Sequence, residues 1–403
     1  MFALCLAFAP LALGDAPHAP TFATTSASGE PLRGQVTKLQ SDWSITLTGE
    51  KPGTVAGGDL ISLRRAGAKL PAFPAGPHLV FANGDRLAGE VLAIEKERVQ
   101  FKARLGTGSN ADVVQELSIP LPAVAAIWFQ APTHEGMSGI GRQWLSERRR
   151  RDIILLNNGD TRTGNIIGFK SIKDPFQFED SGKKASVELG NVVAVGLNTD
   201  LARTFRPKGQ YGRLVLTNGD RLALSSASAD EQLLTGRTLF GSEVRIPWRQ
   251  IVSLEIRQGK AVYLSDSKPK AYEFTPFLGE HFDYQMDRSV AGGDLRLAGS
   301  TYDKGIGLHS QCRLTFSLGG AYRRFESLVG LNDDLGKRGS VRIQVHVDGN
   351  AKLQDQRELT AAAGPRSINV DVTGGKELTL IVEFGNGGPV QDHVDWAETR
   401  LVK

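Results

Sequence analysis

The sequence contains very little cysteine: two residues in 403, alongside only three methionines. With so few thiols the chain cannot be a disulfide scaffold, and it has no paired cysteines at zinc-site spacing. The motifs G-x-S-x-G and H-E-x-x-H and the P-loop are also missing. A (β/α)₈ barrel would need about 250 residues of alternating strand and helix, which the sequence does not offer. These absences argue against the common hydrolase and nucleotide-binding classes, and we expect the protein not to be an enzyme.

Long hydrophobic runs are missing as well, since a bilayer span needs about 20 apolar residues. The apolar run over residues 2–14 is shorter and ends in the small residues of Ala12-Leu13-Gly14. It fits the h-region and cleavage site of a secretory signal peptide, although the positive n-region is missing. We therefore predict a signal peptide over residues 1–14 and a secreted, periplasmic or cell-surface protein that is not integral to a membrane. The alternative is an apolar N-terminus that is retained. Cleavage would remove Cys5 and leave Cys312, which we expect to be a small buried residue.

What the sequence has in abundance is turn residues, with 46 glycines and 18 prolines. Hydrophobic content of 40% and charged content of 23% are ordinary for a globular protein. The length predicts about two to four domains. Together these features predict an all-β protein whose many short strands are joined by turns.

Repeated hairpin signals fill the front two thirds of the chain. Three segments place Asn-Gly-Asp between apolar residues, and a weaker copy precedes them; in order they are Ser28–Val36, Phe81–Val91, Leu156–Ile166 and Leu216–Leu222. Asn-Gly in this setting predicts a type I′ turn, and each copy ends in a short turn into a last strand. We expect small SH3-like or Sm-like barrels or hairpin repeats, with repeats 1 and 2 in residues 22–131 and repeats 3 and 4 in 153–260.

The polar residues of these repeats favour structural roles. Asp85, Asp160 and Asp220 are expected to cap their own turns. Residues 132–152, between the second and third copies, are predicted to be a linker or a helix. They include Arg148–Arg151, a run that can bind polyanions, but a solvated linker face is the expected role. We therefore expect no nucleic-acid partner.

The last third, residues 266–403, has strong strand periodicity. Apolar residues alternate with polar ones over Arg313–Leu318, Val341–Val347, Ile368–Val372 and Leu378–Phe384. Period-2 alternation with one apolar face indicates half-buried antiparallel strands. Many such strands within one domain predict a β-sandwich or jelly roll.

Four motifs in this last third occur in a fixed order: Gly305–Ser310, Val329–Asp333, Val347–Gly349 and Asp392–Trp396. In these motifs the segment resembles the NPCBM/NEW2 family, a carbohydrate-binding module first seen beside glycoside hydrolases of family 98. The resemblance covers nearly all of residues 266–403. It implies a galactose-binding-like β-sandwich that binds carbohydrate without catalysis, with galactose-type ligands in some members and often a structural calcium ion.

The residue types at these motifs suit a sugar. Sugars are held by an aromatic face beneath their C–H groups and by carboxylates or amides that share adjacent hydroxyls. The candidate carbohydrate-binding residues are Trp396, Asp395, His393, Asn332 and Asp333. Trp396 begins the final strand, so a core position is the alternative for it. His309 is expected to be a core histidine.

A calcium ion would need six to eight oxygen ligands, and the candidates are Asp303, Asp334 and Asp392, with Asp333 and Asp395 also rich in oxygen. The alternative is that these are solvated turn carboxylates. Zinc is poorly supported, because the histidines lack ligand spacing.

The leading hypothesis is therefore an exported, non-catalytic, lectin-like protein that recognises extracellular or cell-surface glycans through its C-terminal module. The main alternative is a structural or interaction protein of β repeats whose C-terminal module no longer binds sugar. An enzyme or a nucleic-acid-binding protein is less well supported, since no paired carboxylates are marked out for hydrolysis.

Overall fold

A computed structural model describes residues 19–108, 113–131, 147–205, 207–277, 279–354 and 357–403. The chain is all-β, as predicted, with four five-stranded repeats followed by a two-sheet sandwich. The predicted signal peptide over 1–14 and most of the predicted linker or helix over 132–152 lie outside the described residues. Within the described ranges, no helix is long and apolar enough to cross a membrane.

Each repeat has five strands, and its first strand pairs with its last, so the unit curls into a small barrel-like body. Repeat 1 comprises β1 (Phe22–Ser26), β2 (Arg33–Leu39), β3 (Ile45–Lys51), β4 (Gly53–Val55) and β5 (Leu60–Arg65). Repeat 2 comprises β6 (His78–Phe81), β7 (Arg86–Glu95), β8 (Arg98–Arg104), β9 (Val114–Pro120) and β10 (Val124–Trp128). Repeat 3 comprises β11 (Asp152–Leu156), β12 (Thr161–Gly168), β13 (Phe176–Asp180), β14 (Lys183–Val187) and β15 (Val192–Gly196). Repeat 4 comprises β16 (Tyr211–Leu216), β17 (Arg221–Ala229), β18 (Leu233–Thr238), β19 (Glu243–Pro247) and β20 (Ile251–Arg257).

The predicted short turn before the last strand is a single 3₁₀ turn in repeats 2, 3 and 4, at Leu121–Ala123, Leu189–Asn191 and Trp248–Gln250. The last strands also join the repeats in pairs. Strand β10 lies beside β15, and β20 lies beside β5. Repeats 2 and 3, and repeats 4 and 1, therefore share continuous sheet.

The Asn-Gly-Asp hairpins differ in turn type from the prediction. The N–H of Gly84 donates to the carbonyl of Phe81, with equivalent bonds at the two other turns. Only the glycine of each loop has positive φ. This is the pattern of a three-residue loop with a type I turn and a glycine bulge, whereas a type I′ turn needs two residues at positive φ. Asn83 explains the difference, because its side-chain oxygen accepts from the Asp85 N–H and its amide donates to the Asp85 carboxylate, which closes the loop.

Two of the three turn aspartates also connect different repeats. The sequence Asn-Gly-Asp-Arg-Leu-Ala occurs identically at 83–88 and 218–223. Asp220 accepts from the Ala88 N–H at 2.7 Å, and Asp85 accepts from the Ala223 N–H at 2.7 Å. Repeats 2 and 4 are thus joined by two reciprocal hydrogen bonds. An approximate two-fold axis near the paired Arg86 and Arg221 relates these two bonds. Asp160 keeps only the predicted local role, accepting from Asn158.

The C-terminal module is a sandwich of two antiparallel sheets. One sheet runs β23 (Gln285–Met286), β26 (Gly305–His309), β34 (His393–Val402), β28 (Arg324–Leu331) and β32 (Arg366–Asp371), with β21 (Ala261–Tyr263) also against β34. The other runs β22 (Ala271–Phe274), β27 (Cys312–Ser317), β33 (Glu377–Phe384), β29 (Ser340–Val347) and β30 (Asn350–Gln354), with β31 (Leu359–Thr360) against β29. A separate hairpin consists of β24 (Leu295–Leu297) and β25 (Ser300–Tyr302).

The predicted apolar faces meet between the two sheets and form the core of the sandwich. The strand over 312–317 alternates buried positions with exposed or partly buried ones, and from residue 341 to 347 the strand β29 alternates buried with partly buried positions. Cys312 is 2% exposed, and burial raises the pKa of its thiol to about 12. The prediction of a small buried cysteine is therefore confirmed.

The sandwich packs closely onto the repeats. The Arg221 Nε–H donates to both carboxylate oxygens of Asp303, at 3.2 Å to Oδ1 and 3.1 Å to Oδ2, and Glu398 pairs with Arg64. The Thr301 N–H donates to the carbonyl of Leu70 at 3.0 Å. An apolar cluster with members from repeat 4 and from the β24–β25 hairpin lies beside these contacts. The sandwich is therefore fixed to the repeats by buried polar and apolar contacts.

The arginine run at 148–151 is more structured than a solvated face. Arg149 is 6% exposed, and its Nε donates to the carbonyl of Leu197 at 3.2 Å. Arg148 pairs with Asp200 and Arg151 with Asp180 at the surface. The expectation of a solvated linker face was therefore wrong for Arg149, whose hydrogen bond anchors it to the segment after β15.

Candidate functional site

A concave pocket of about 400 Å³ lies at one end of the sandwich, and we call it the loop-end pocket. Three stretches of chain form it: the segment that follows β22, the turn between β26 and β27, and the loop before β34. The described residues that line it are Phe274, Phe277, Glu280, Phe282, His309, Ser310, Pro389, Val390, Gln391 and His393. The antiparallel register places His309 directly opposite His393, which brings the second and third stretches together.

Aromatic rings form most of the wall of the loop-end pocket. Phe282 stacks on His309 with ring centroids 4.0 Å apart and planes 5° from parallel. His393 stands perpendicular to His309, with centroids 5.4 Å apart. Phe277 is 50% exposed and Val390 52% exposed, so apolar surface faces solvent at this end of the sandwich. Such faces suit the C–H side of a sugar ring.

Both histidines of the pocket are neutral at neutral pH. Burial lowers the pKa of His309, and burial together with the neighbouring His309 lowers the pKa of His393. The Nδ1 atom of His309 lies 2.6 Å from the carbonyl oxygen of Ser310, so Nδ1 carries the proton and donates. The Nε2 atom of His309 is then an acceptor. The Nδ1 atom of His393 is buried with no hydrogen-bond partner.

Asp392 stiffens the floor beneath this pocket. It is fully buried, accepts from the Ser310 hydroxyl, and accepts from the Ser340 N–H at 3.0 Å. Burial raises the pKa of its carboxyl to about 6, although both hydrogen bonds oppose the shift. The carboxylate thereby ties the β26–β27 turn to β29 and sets the position of His309.

The structure places Trp396 in the core of the sandwich and not at a surface. The side chain is 0% exposed, and its ring centroid lies 6.5 Å from that of Phe325. Stacking on a sugar requires an exposed ring face, which this ring does not have. The alternative core position for Trp396 is the one observed, and the assignment of Trp396 as a sugar platform is corrected accordingly.

Three of the predicted sugar-binding residues lie together and form hydrogen bonds with the β24–β25 hairpin: Asn332, Asp333 and Asp395. The Asn332 amide donates to Asp395 at 2.6 Å and to the Asp294 carbonyl at 3.0 Å. Asp333 accepts from the N–H groups of Ala298 and Gly299 in that hairpin. Asn332 and Asp395 are 2% and 0% exposed. These three residues do not line the loop-end pocket, and of the five predicted sugar residues only His393 does.

The three predicted calcium ligands are not brought together. Asp303 pairs with Arg221 and Arg213 at the junction with the repeats, and these charges hold the pKa of its carboxyl below the usual value despite burial. Asp334 pairs with Arg296 at 3.1 Å, and Asp392 lies beneath the loop-end pocket. Among the described residues no three His, Cys, Asp or Glu side chains group closely enough to hold a metal ion. These three aspartates therefore do not form a calcium site together, and calcium binding by the module stays a prediction.

The sequence analysis did not identify the aromatic residues at the end of β22 and in the segment that follows it. Phe274, Phe277 and Phe282 lie within nine residues of one another and precede the first quoted motif. This concentration of aromatics in a turn-rich stretch was the signal available, since exposed aromatics on loops are the usual sugar platforms.

The fold and the pocket define residues 260–402 as a β-sandwich module with a concave, aromatic-lined end. The same residues match the family model of the NPCBM/NEW2 domain, which confirms the resemblance seen in the sequence.

Comparisons with individual proteins gave partial matches. The chain is 27% identical over 121 residues to the "Putative endo-alpha-N-acetylgalactosaminidase" of Renibacterium salmoninarum, which covers 29% of this chain and spans 8% of that relative's length. Among solved structures, CBM51 from Clostridium perfringens GH95 in complex with methyl-galactose is 27% identical, covers 35% of this chain and 99% of that one, and gives a TM-score of 0.32. CBM51-2 with INT domains from Clostridium perfringens ZmpB, in complex with GlcNAc, is 26% identical, covers 45% of this chain and 38% of that one, and gives a TM-score of 0.33.

Proposed function

We propose that this protein binds carbohydrate without catalysis, through the loop-end pocket of its C-terminal module. The observation that carries the proposal is the apposition of exposed Phe277 with the stacked Phe282 and His309 in one concave pocket. A cavity of about 400 Å³ is within the size range of small-molecule sites. The match to the NPCBM/NEW2 domain supports the same ligand class.

The ligand that suits this pocket is a neutral sugar, with galactose-type glycans as the first candidates. The two histidines are uncharged at neutral pH, so they offer directional hydrogen bonds without attracting an ion. Glu280 is the one carboxylate among the described residues that line the pocket, and glycoside hydrolysis normally uses two. We place the protein outside the cytoplasm, where such glycans are met, on the strength of the apolar N-terminal run.

The test is glycan-array and calorimetric binding by the full chain, using glycans terminated by galactose, N-acetylgalactosamine, N-acetylglucosamine and fucose. Phe277→Ala should weaken binding about five- to tenfold, because aromatic stacking of this kind contributes about 1 to 1.4 kcal/mol. Ile172→Ala is the matched control, since Ile172 is 63% exposed in repeat 3, far along the chain from the pocket. Equal binding by both variants would contradict the assignment of the site. Parallel runs with calcium and with EDTA test the calcium prediction.

The second candidate function is structural, with no sugar binding. The observation in its favour is that three of the predicted sugar-binding residues are buried and contact other parts of the protein: Trp396 packs in the core, and Asn332 donates to Asp395. In that case the folded chain would show no saturable binding to any array glycan, with or without calcium. A cooperative thermal unfolding transition of the same sample would show that the negative result comes from a folded protein.

A further inference from the structure

A second cavity lies where the sandwich meets the repeats, and we call it the junction cavity. Its volume is about 590 Å³, larger than the loop-end pocket. It is lined by side chains from repeat 4, from the segment around β21 and from the sandwich, including Tyr211, Arg213, Arg257, Val262, Tyr263 and Lys304. Neither half of the protein forms this cavity alone.

Arg213 is the central polar group of the junction cavity. Its side chain is 15% exposed and lies 3.2 Å from Asp85 Oδ1 and 3.5 Å from Asp303 Oδ2. Its Nε–H has no acceptor, and Asp85 Oδ1 has no hydrogen-bond donor, so the ion pair is close but poorly aligned. Asp303 is better matched to Arg221, which contacts both of its oxygens. Arg213 is therefore held in place by charge while some of its donors stay unused.

The rest of the wall favours an acidic ligand with a ring. Arg257 also lines the cavity with an Nε–H that lacks an acceptor, although its NH2 group bonds Glu255 at 2.5 Å. The lining cations are Arg213, Arg257 and Lys304, and Asp266 is the lining carboxylate, which Lys304 contacts at 2.6 Å. Planar guanidinium groups match carboxylates in two-point hydrogen bonds. Tyr211 and Val262 supply aromatic and apolar surface in the same cavity.

The carboxylates close to Arg213 neutralise part of its positive charge but leave some of it to attract an acidic ligand. Arg213 pairs with Asp85 and Asp303, the Glu255 carboxylate also raises its pKa, and Asp303 is shared with Arg221. Burial raises the pKa of Asp85, which weakens its claim on Arg213. An external carboxylate can accept from the Arg213 donors that these internal partners leave unused, while the internal ion pairs stay in place.

We propose that the junction cavity is a second binding site that takes an acidic sugar unit of the hexuronate class. The carboxylate lies on Arg213, and the sugar ring lies against the Tyr211 and Val262 side of the cavity. This site is independent of the loop-end pocket, and its ligand differs by carrying a charge. It also requires the repeats, which would otherwise have no part in recognition.

The test is isothermal titration of the full chain with galacturonate, with galactose and acetate as reference probes. Arg213→Gln should weaken galacturonate binding ~10- to 100-fold, as expected for losing a hydrogen bond to a charged group. Arg162→Gln, an exposed arginine in β12, is the matched charge control. Val262→Trp fills the cavity without removing charge and guards against loss of folding in the arginine variant. Phe277→Ala should leave galacturonate binding unchanged.

The proposal is supported if wild type, Arg162→Gln and Phe277→Ala bind galacturonate more tightly than galactose or acetate, while both cavity variants lose this preference. It is overturned if wild type does not bind galacturonate, or if Val262→Trp binds it normally. Equal affinity for galactose would overturn the role of the carboxylate, and equal affinity for acetate would overturn the role of the ring.

Discussion

Replacing Asp395 by asparagine should stabilise the protein at neutral and alkaline pH. Asp395 is fully buried, and its Oδ2 accepts from the Arg296 N–H at 2.8 Å and from the Asn332 amide. Its Oδ1 has no donor. Burial raises the pKa of this carboxyl to about 8, so the protonated form dominates at pH 7. Asparagine keeps an accepting oxygen and places an amide where the protonated carboxyl has its O–H.

The size of the effect follows from the proton bound by the folded state. Asp395 titrates near 3.8 when unfolded and near 8 when folded. Its contribution to stability is full below the unfolded pKa and is lost as pH rises through the folded value. Between these limits the free energy of unfolding of the wild type falls by about 1.4 kcal/mol per pH unit through this group. The variant lacks this loss. The difference in free energy of unfolding between variant and wild type should therefore change by about 3 kcal/mol in favour of the variant from pH 5 to pH 7.

Urea denaturation of both proteins at pH 5, 6, 7 and 8 measures this difference directly. Because the other titrating groups are common to both chains, their contributions cancel in the difference. Asp160→Asn, at an exposed turn of repeat 3, controls for the removal of a carboxylate. A difference between Asp395→Asn and wild type that stays constant with pH would refute the reasoning, because Asp395 would then titrate alike in both states.

Three further outcomes are expected. Asp303→Asn should lower the free energy of unfolding by about 3 kcal/mol in the same urea assay, because it leaves the buried Arg221 without its carboxylate partner. Asp200→Asn removes an exposed partner of Arg148 and should change the free energy of unfolding by less than about 1 kcal/mol. Glycan binding at the loop-end pocket should be constant near neutral pH and fall as acid protonates His309 and His393 below the ordinary histidine value of about 6.5, as calorimetry across pH would show. Cys312 should react with a thiol reagent only after denaturation, since burial suppresses its thiolate; rapid labelling of native protein would contradict this.

The regular elements of this fold were predictable from the sequence, because period-2 alternation specifies which face of a strand is buried. The strand over 341–347 and the hairpins at the Asn-Gly-Asp turns are examples. The turn type was not predictable from Asn-Gly alone. It was decided by side-chain hydrogen bonds of Asn83 to Asp85, which a propensity for positive φ does not include.

The site was harder to predict, because long-range packing decides whether a polar or aromatic residue is available to a ligand. Trp396 was a candidate sugar-binding residue, and Asp303 was a candidate calcium ligand. In the structure Trp396 packs near Phe325 in the core, and Asp303 pairs with Arg221 in repeat 4. Both partners are distant in sequence. His393 lines the loop-end pocket because the strand register places it opposite His309. The aromatic residues on the loop after β22 carried a local signal, but only the fold shows that they face this pair.

The two reciprocal hydrogen bonds between the identical segments 83–88 and 218–223 affect how the chain folds. The bond from Ala88 to Asp220 spans 132 residues, and the bond from Ala223 to Asp85 spans 138. During synthesis the turn of repeat 2 leaves the ribosome long before its partner exists, so Asp85 has only its local bond from Asn83 until the Ala223 N–H of repeat 4 is available. Such distant pairings make folding slow and cooperative. Repeats 2 and 4 should therefore unfold as one unit, although each looks like an independent small barrel.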